Sequence, residues 1–327
     1  MAATERDIDV NGIRLHVREQ GEGPLVLLCH GWPELSYSWR HQIPALAAAG
    51  YRVVAPDMRG FGASDAPAAI EDYTLLHMIG DMVTLVTACG ERTSAIVGHD
   101  WGAPVAWGSA LLRTDMFTAV AGLSVPHATR RPAPPLSIIR ARGVTRFYLQ
   151  YFQQPGVAEA EFEADVARTL RMILGAHAPG PKATPVPLML AEDGGLLDTI
   201  AYPDTLPDWL TEADVATIVR AYETSGFRGG LNWYRNIDRN WALLAPWQDV
   251  PITQPALFIA GARDPVIHPA FAGGALARLK ETVPDLRRVL IINDAGHWIQ
   301  QEKPDEVNAA LLAFLAEARG VSAPTPA

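Results

Sequence analysis

Three side chains far apart in the chain have the types and settings for covalent catalysis, and the first is Asp100. It stands in Gly98-His99-Asp100-Trp101-Gly102-Ala103, between a buried strand-like run, Thr93–Gly98, and a helical stretch from about Trp101 to Arg113. The small residues at 98, 102 and 103 suit a turn too tight for ordinary Cβ atoms. A carboxylate is already an anion at neutral pH, and the amides at a helix N-terminus favour negative charge. It therefore needs no base to become a nucleophile. Its natural target is a carbon bearing a leaving group, and the product is an alkyl-enzyme ester. The plainer reading, an Asp that only caps the helix beginning at Trp101, uses the same amides.

Cleaving such an ester requires an activated water. Gly296-His297-Trp298 follows a late strand, and Gly261-Ala262-Arg263-Asp264-Pro265 follows the one before it. His297 is the expected base, and Asp264 is expected to hold its tautomer and stabilise the imidazolium. Asp294, three residues before His297, is a competing partner, and its expected place is in the loop's own hydrogen bonding. The tetrahedral oxyanion needs donors. His30-Gly31-Trp32-Pro33, directly after a buried strand, is the expected loop, and the backbone N–H groups of Trp32 and Trp101 are the expected pair. His30 reads as a structural hydrogen bonder within that loop, near the pocket.

The elements that must position these groups alternate along the chain. Residues 8–19 read as a hairpin around Asn11-Gly12. Pro24–Cys29, Tyr51–Ala55, Thr93–Gly98 and Ala119–Val125 read as strands, with helices to Ala49, at 72–89 and from Trp101. Strands alternating with helices imply a mostly parallel sheet. The texture changes near Thr129 to proline, arginine, helical patterns and many aromatics, without a convincing strand up to about 246. Strand signals return at Pro255–Ala260 and Arg288–Ile292, with helices near 270–281 and 305–318; the last residues, GVSAPTPA, read as disordered. The expected architecture is α/β, with a discontinuous core of residues 1–128 and 247–327 and an inserted helical cap, 129–246. A net charge of −9 argues against nucleic acid or an anionic membrane as the main partner. The N-terminus lacks a signal-peptide pattern. Cys29 and Cys89 read as reduced thiols, and the cytoplasm is the expected compartment.

At this point the chain resembles a known family. The loop His30-Gly31-Trp32-Pro33, the run Asp57-Met58-Arg59-Gly60-Phe61-Gly62 and the elbow at Asp100 resemble epoxide hydrolases of the α/β-hydrolase fold. The order Asp100, Asp264, His297 is that fold's order of nucleophile, acid and histidine. Two cap segments narrow the likeness: Phe147-Tyr148-Leu149-Gln150-Tyr151-Phe152-Gln153-Gln154-Pro155-Gly156-Val157-Ala158-Glu159, and Ser225-Gly226-Phe227-Arg228-Gly229-Gly230-Leu231-Asn232-Trp233-Tyr234-Arg235-Asn236. They resemble the two tyrosine segments of soluble epoxide hydrolases, of which the chain resembles only the hydrolase half. The resemblance implies Asp100 as nucleophile, Asp264 and His297 as the charge pair, and Tyr148 and Tyr234 as acids above the nucleophile. Trp32 stands where Phe is common, and Tyr151 lies one helical turn from Tyr148.

The chemistry agrees. A ring-opened epoxide leaves as a basic alkoxide and gains from a phenolic proton, whereas a halide does not need one. The expected substrate is a small apolar epoxide, cleaved with water to a vicinal diol, with no cofactor and no metal. His30, Pro33, Phe147, Tyr151, Trp233 and Trp298 are the candidates for the pocket wall, and a homodimer stays open. Two rivals remain. One is a haloalkane or haloacid dehalogenase with the same Asp nucleophile, using Trp101 as halide donor; the other is a non-catalytic ligand-binding protein of this fold.

Overall fold

The computed structural model describes residues 3–176, 189–190, 192–268 and 274–320. Eight strands form one sheet: β1 (Thr4–Val10), β2 (Ile13–Gln20), β3 (Leu25–Cys29), β4 (Arg52–Pro56), β5 (Ser94–His99), β6 (Phe117–Leu123), β7 (Ala256–Gly261) and β8 (Leu286–Ile292). Their order is β1-β2-β4-β3-β5-β6-β7-β8. The β1–β2 and β2–β4 pairs are antiparallel, and every other pair is parallel. The hairpin turns at Asn11 and Gly12, both at positive φ (42° and 79°), the twist a two-residue hairpin loop requires.

β3 and β7 are buried along their whole length, which is why their sequences are unbroken apolar runs. Alternate residues feed two cores. Leu25, Leu27 and Cys29 face the core under α2 (Leu75–Ala88) and α3 (Gly102–Leu112), with Met82 and Ala106. Val26 and Leu28 face the other, under α1 (Gln42–Ala48) and the helix Pro304–Ala318, with Ile43 and Leu311. The first helix of the second strand–helix pair begins later than its periodicity suggests: Ile70–Tyr73 is a single tight turn, and α2 starts after the Thr74 cap.

Two expectations shift. β6 starts and ends two residues earlier than Ala119–Val125, because Ser124 takes a positive φ of 66° and turns the chain out of the sheet. Of the helix expected at 270–281, residues 270–273 lie outside the described part; the rest is turn up to a short helix, Leu279–Thr282. The terminal stretch 321–327 also lies outside the described residues. Among the described residues no helix is long and apolar enough to cross a membrane.

Between β6 and β7 run α4 (Pro135–Ala141), α5 (Tyr148–Tyr151), α6 (Val157–Glu163), α7 (Val166–Gly175), α8 (Glu212–Ser225), α9 (Arg228–Arg235) and α10 (Ile237–Leu243). One isolated bridge, Phe147 to Met189, is the extended pairing described there. These helices are anchored to the sheet's loops by buried polar contacts. The indole of Trp233 donates to the carbonyl of Arg59 (3.0 Å), Asn236 donates to that of Ile70, and the amide of Leu75 donates to Asn240 (2.8 Å). Arg59 itself is buried and forms a two-pronged pair with Asp81 (2.6 and 2.8 Å), which also accepts from Asn11. Removing one member of such a pair leaves an unpaired buried charge. Arg59→Met should therefore lower unfolding free energy by about 3–5 kcal/mol in urea titration. The double variant Arg59→Met/Asp81→Leu should recover most of that loss; equal instability of the two would show that charge pairing is not the cause.

Candidate active site

Asp100 occupies the bend between β5 and α3 with φ of 49°, a left-handed conformation that costs a non-glycine residue about 1–3 kcal/mol. The surroundings enforce it. A Cβ on Gly98 would lie 2.0 Å from the carbonyl of Gly102, and one on Gly102 would lie 2.0 Å from that of Cys29. A Cβ on Gly31 would lie 2.3 Å from Oδ1 of Asp100 itself. The glycines thus mark a close approach of three backbone segments around one carboxylate.

That carboxylate accepts the backbone N–H of Trp32 on Oδ1 (2.8 Å) and faces Nε2 of His297 from Oδ2 (3.5 Å). On the far side of the ring, Nδ1 of His297 lies 3.1 Å from both oxygens of Asp264. Asp264 also caps the turn Pro265–Ile267 through the amide of Val266 (2.9 Å). Asp294 points elsewhere. It is exposed and pairs with Arg263, so its role lies in the loop, and Asp264 is the partner of the histidine.

Burial alone would neutralise these groups, but their mutual charge reverses that. Desolvation pushes Asp100 up, yet the hydrogen bond and charge of His297, then His99 and the Trp32 amide, hold it below the ordinary carboxylate range. Asp264 is held low against its own burial, chiefly by His297. Desolvation would lower His297, but Asp264 and Asp100 together raise it well above an ordinary histidine. The two carboxylates thus favour the protonated form of the imidazole between them.

Tyr148 at the start of α5 and Tyr234 in α9 meet above this group, ring centroids 6.0 Å apart and nearly perpendicular. Burial first, and then the charge of Asp100, raise both phenols above their ordinary range, and a phenol so held keeps its proton at neutral pH. Their segments are cross-tied. Gln153 donates to the carbonyl of Tyr234 (3.1 Å), and Arg235 donates to that of Phe152 (3.0 Å) while pairing with buried Glu159 (2.7 Å). Each tyrosine's neighbour thus fixes the other's backbone. The indole of Trp101 hydrogen-bonds Tyr234 and packs edge-on against it at 5.1 Å. That contact engages the group a dehalogenase would offer to halide.

The residues expected on the pocket wall have these partners. His30 is fully buried; its Nδ1 donates to the Gly31 carbonyl (2.8 Å) and its Nε2 accepts from the Met58 amide (2.9 Å), joining two loops. Tyr151 is turned away, with its hydroxyl on Glu161 (2.8 Å), because one side of α5 faces α6. Trp233 is a buried tie to Arg59, and Trp298 backs the imidazole of His297 at 4.7 Å. Phe147 is half-buried beside Tyr148, and Pro33 is buried next to Trp32.

One group escaped sequence reasoning. Glu34 is buried behind the elbow, 2.7 Å from Nδ1 of His99 and accepting from Gln300 and Gln301 (2.8 Å each). Burial raises it, but the charge of His99 outweighs that and leaves it low. Nε2 of His99 in turn lies 2.7 Å from the carbonyl of His297. Its signal was its position next to the 30–33 loop, which reads equally well as a surface Glu until burial is known.

The comparisons follow this geometry. The family model described as alpha/beta hydrolase fold matches residues 24–304. Epoxide hydrolase A of Mycobacterium tuberculosis is 47% identical over 318 residues, covering 96% of this chain and 98% of that protein. The crystal structure of epoxide hydrolase A from Mycobacterium thermoresistibile superposes with a TM-score of 0.91 at 46% identity, covering 99% of this chain and 100% of that one. An epoxide hydrolase from an endophytic Streptomyces gives 0.93 at 47%, covering 98% and 97%. With its α/β sheet, its buried carboxylate–imidazole–carboxylate group and these relatives across nearly its whole length, the chain belongs to the epoxide hydrolases of the α/β-hydrolase fold.

Proposed function

We propose that the chain converts apolar epoxides to vicinal diols through a covalent ester on Asp100. The observation that carries this is the meeting of two phenols from separate helices over one buried carboxylate. A core of residues 1–128 and 247–327 then supplies nucleophile and base, and a cap of residues 129–246 supplies the acids. The aromatic surroundings, with Trp32, Phe152, Trp101 and Tyr234 within ring contact, favour an apolar substrate. Cys29 and Cys89 are free and buried, which suits a reducing compartment, the cytoplasm in our reading.

The charges order the steps. Asp100 attacks a ring carbon while Tyr148 and Tyr234 hydrogen-bond the ring oxygen, and the C–O bond breaks as the alkoxide takes a phenolic proton. Esterification removes the anion that raises both phenols and the imidazole. The phenols become better acids as the alkoxide forms. His297 loses one of its two counter-charges and gives up its proton, which neutralises the phenolate and restores the tyrosine, after which the neutral imidazole takes a proton from water. The hydroxide adds to the ester carbonyl, whose oxyanion would be met by the amides of Trp32 and Trp101. Collapse expels the diol's second oxygen, which takes a proton from the imidazolium, and the carboxylic acid formed on Asp100 returns its proton to His297, restoring the carboxylate.

A single turnover with enzyme in excess in heavy-oxygen water tests the route: the first label should enter Asp100 and the first diol should stay unlabelled. Label in the first diol would mean direct attack by water. His297→Gln should slow turnover about 10²–10⁴-fold and accumulate an adduct on Asp100 equal in mass to the epoxide.

Tyr148→Phe and Tyr234→Phe should each slow ester formation about 10²-fold, read by rapid quench, with ester hydrolysis little changed. Loss confined to hydrolysis would remove the phenols from the ring-opening step.

The pH dependence follows the same assignment. Ester formation needs only the carboxylate of Asp100, held low, so acidification from pH 8 to 6 should leave it unchanged. Ester hydrolysis needs neutral His297 and should fall about tenfold per pH unit once the ester-state imidazole is protonated, so the ester should accumulate on the acid side. Parallel decline of both steps would contradict the assignment.

A further inference from the structure

The peptide that carries the base is gripped by a carboxylate no catalytic step uses. Glu302, at the end of the short helix Ile299–Glu302, accepts the N–H of Gly296 on Oε2 (2.6 Å) and that of Trp298 on Oε1 (2.9 Å). These are the amides on either side of the His297 amide. The carbonyl of His297 is held from the opposite direction by the hydroxyl of Ser124 (2.9 Å) and by Nε2 of His99 (2.7 Å). Its Nδ1 is held by Asp264. Backbone and ring are thus fixed together, and the remaining ring nitrogen faces Asp100.

Glu302 is an expensive choice for this place. Burial, partly offset by the two amides and the charge of His297, pushes its carboxyl up to about 7. A neutral amide side chain of the same length would avoid that desolvation, but it offers one acceptor oxygen, and its NH₂ would oppose the second backbone N–H. With one amide on each oxygen, the carboxylate accepts both where they stand, and a glutamine would leave the amide facing its NH₂ without that acceptor. The two-oxygen grip therefore fixes the orientation of the loop that carries the imidazole.

We propose that Glu302 is a positioning residue for the second half of the reaction. It sets the direction of Nε2 of His297 toward the water at the ester carbonyl, and it is dispensable for ester formation, which depends on Asp100 and its Trp32 amide. This assignment rests on the covalent route above. A misdirected base loses rate steeply, about 10²-fold for a displacement near 1 Å.

The test is Glu302→Gln, with Glu302→Asp as a second variant should the first fold poorly. Pre-steady-state rates of ester formation and ester hydrolysis are measured by quench and mass spectrometry of the Asp100 peptide, beside steady-state kinetics. Ester hydrolysis should slow about 10- to 100-fold while ester formation stays within about twofold. In a two-step scheme kcat and KM then fall together, kcat/KM is preserved, and the ester builds up at steady state. General damage to the fold would instead lower kcat/KM. Unaltered hydrolysis in both variants, or an equal loss in both steps, overturns the assignment. Ester in the parent with unaltered hydrolysis in the variants removes this assignment alone; no ester in the parent removes the covalent route as well.

Discussion

A carboxylate, an imidazolium and a second carboxylate buried in one line are the constraint around which the molecule is arranged. Asp100, His297 and Asp264 would each be neutral if buried alone, and each keeps its charge only because the others are within about hydrogen-bonding distance. The arrangement carries a net negative charge in a largely apolar interior. That charge is stable only while the fold holds three loops, after β5, β7 and β8, at one end of the sheet. Parallel strands do this without further devices, because their carboxyl ends all point the same way. The strained φ of Asp100 and the close-packed glycines around it are the local cost of bringing a nucleophile to that end.

The helical segment between β6 and β7 adds what the sheet cannot. A phenol at the sheet's own loops would compete with the nucleophile for the same small space, whereas α5 and α9 approach from above. Their rigidity comes from the exchange of ties between the two segments, Gln153 to Tyr234 and Arg235 to Phe152, and from the buried anchors to Arg59, Ile70 and Leu75. The two tyrosine segments are therefore recognisable in sequence for a structural reason as well as a chemical one. Replacing the tyrosines leaves the ties; replacing Gln153 or Arg235 loosens both phenols at once.

Electrostatic coupling between these layers runs in one direction during the reaction. The anion on Asp100 adds to burial in raising both phenols and joins Asp264 in raising the imidazole, so on the proposed route its neutralisation as an ester would ease all three groups. On the proposed route, the residue that begins the reaction thereby prepares the base that ends it. No domain movement is required for this ordering.

Much of this was written in the order of residue types. Unbroken apolar runs at β3 and β7 and the alternation of strand and helix specify a parallel sheet, because such runs are stable only with both faces covered. An Asp in a glycine-rich bend, a late His and an intervening Asp point to the chemistry together, because each alone has a plainer use such as helix capping, and only their order and settings match a nucleophile, its acid and its base. What the chain could not announce is burial. Glu34, His99 and Glu302 look like surface or turn residues until loops distant in sequence enclose them. Tyr151 and Trp233 look like pocket residues until the faces of α5 and α9 are known. Local patterns determine which elements form and which side chains can react. Which charges lie beside one another, and hence which are ionised, is decided only when loops from separate strands close over the same site.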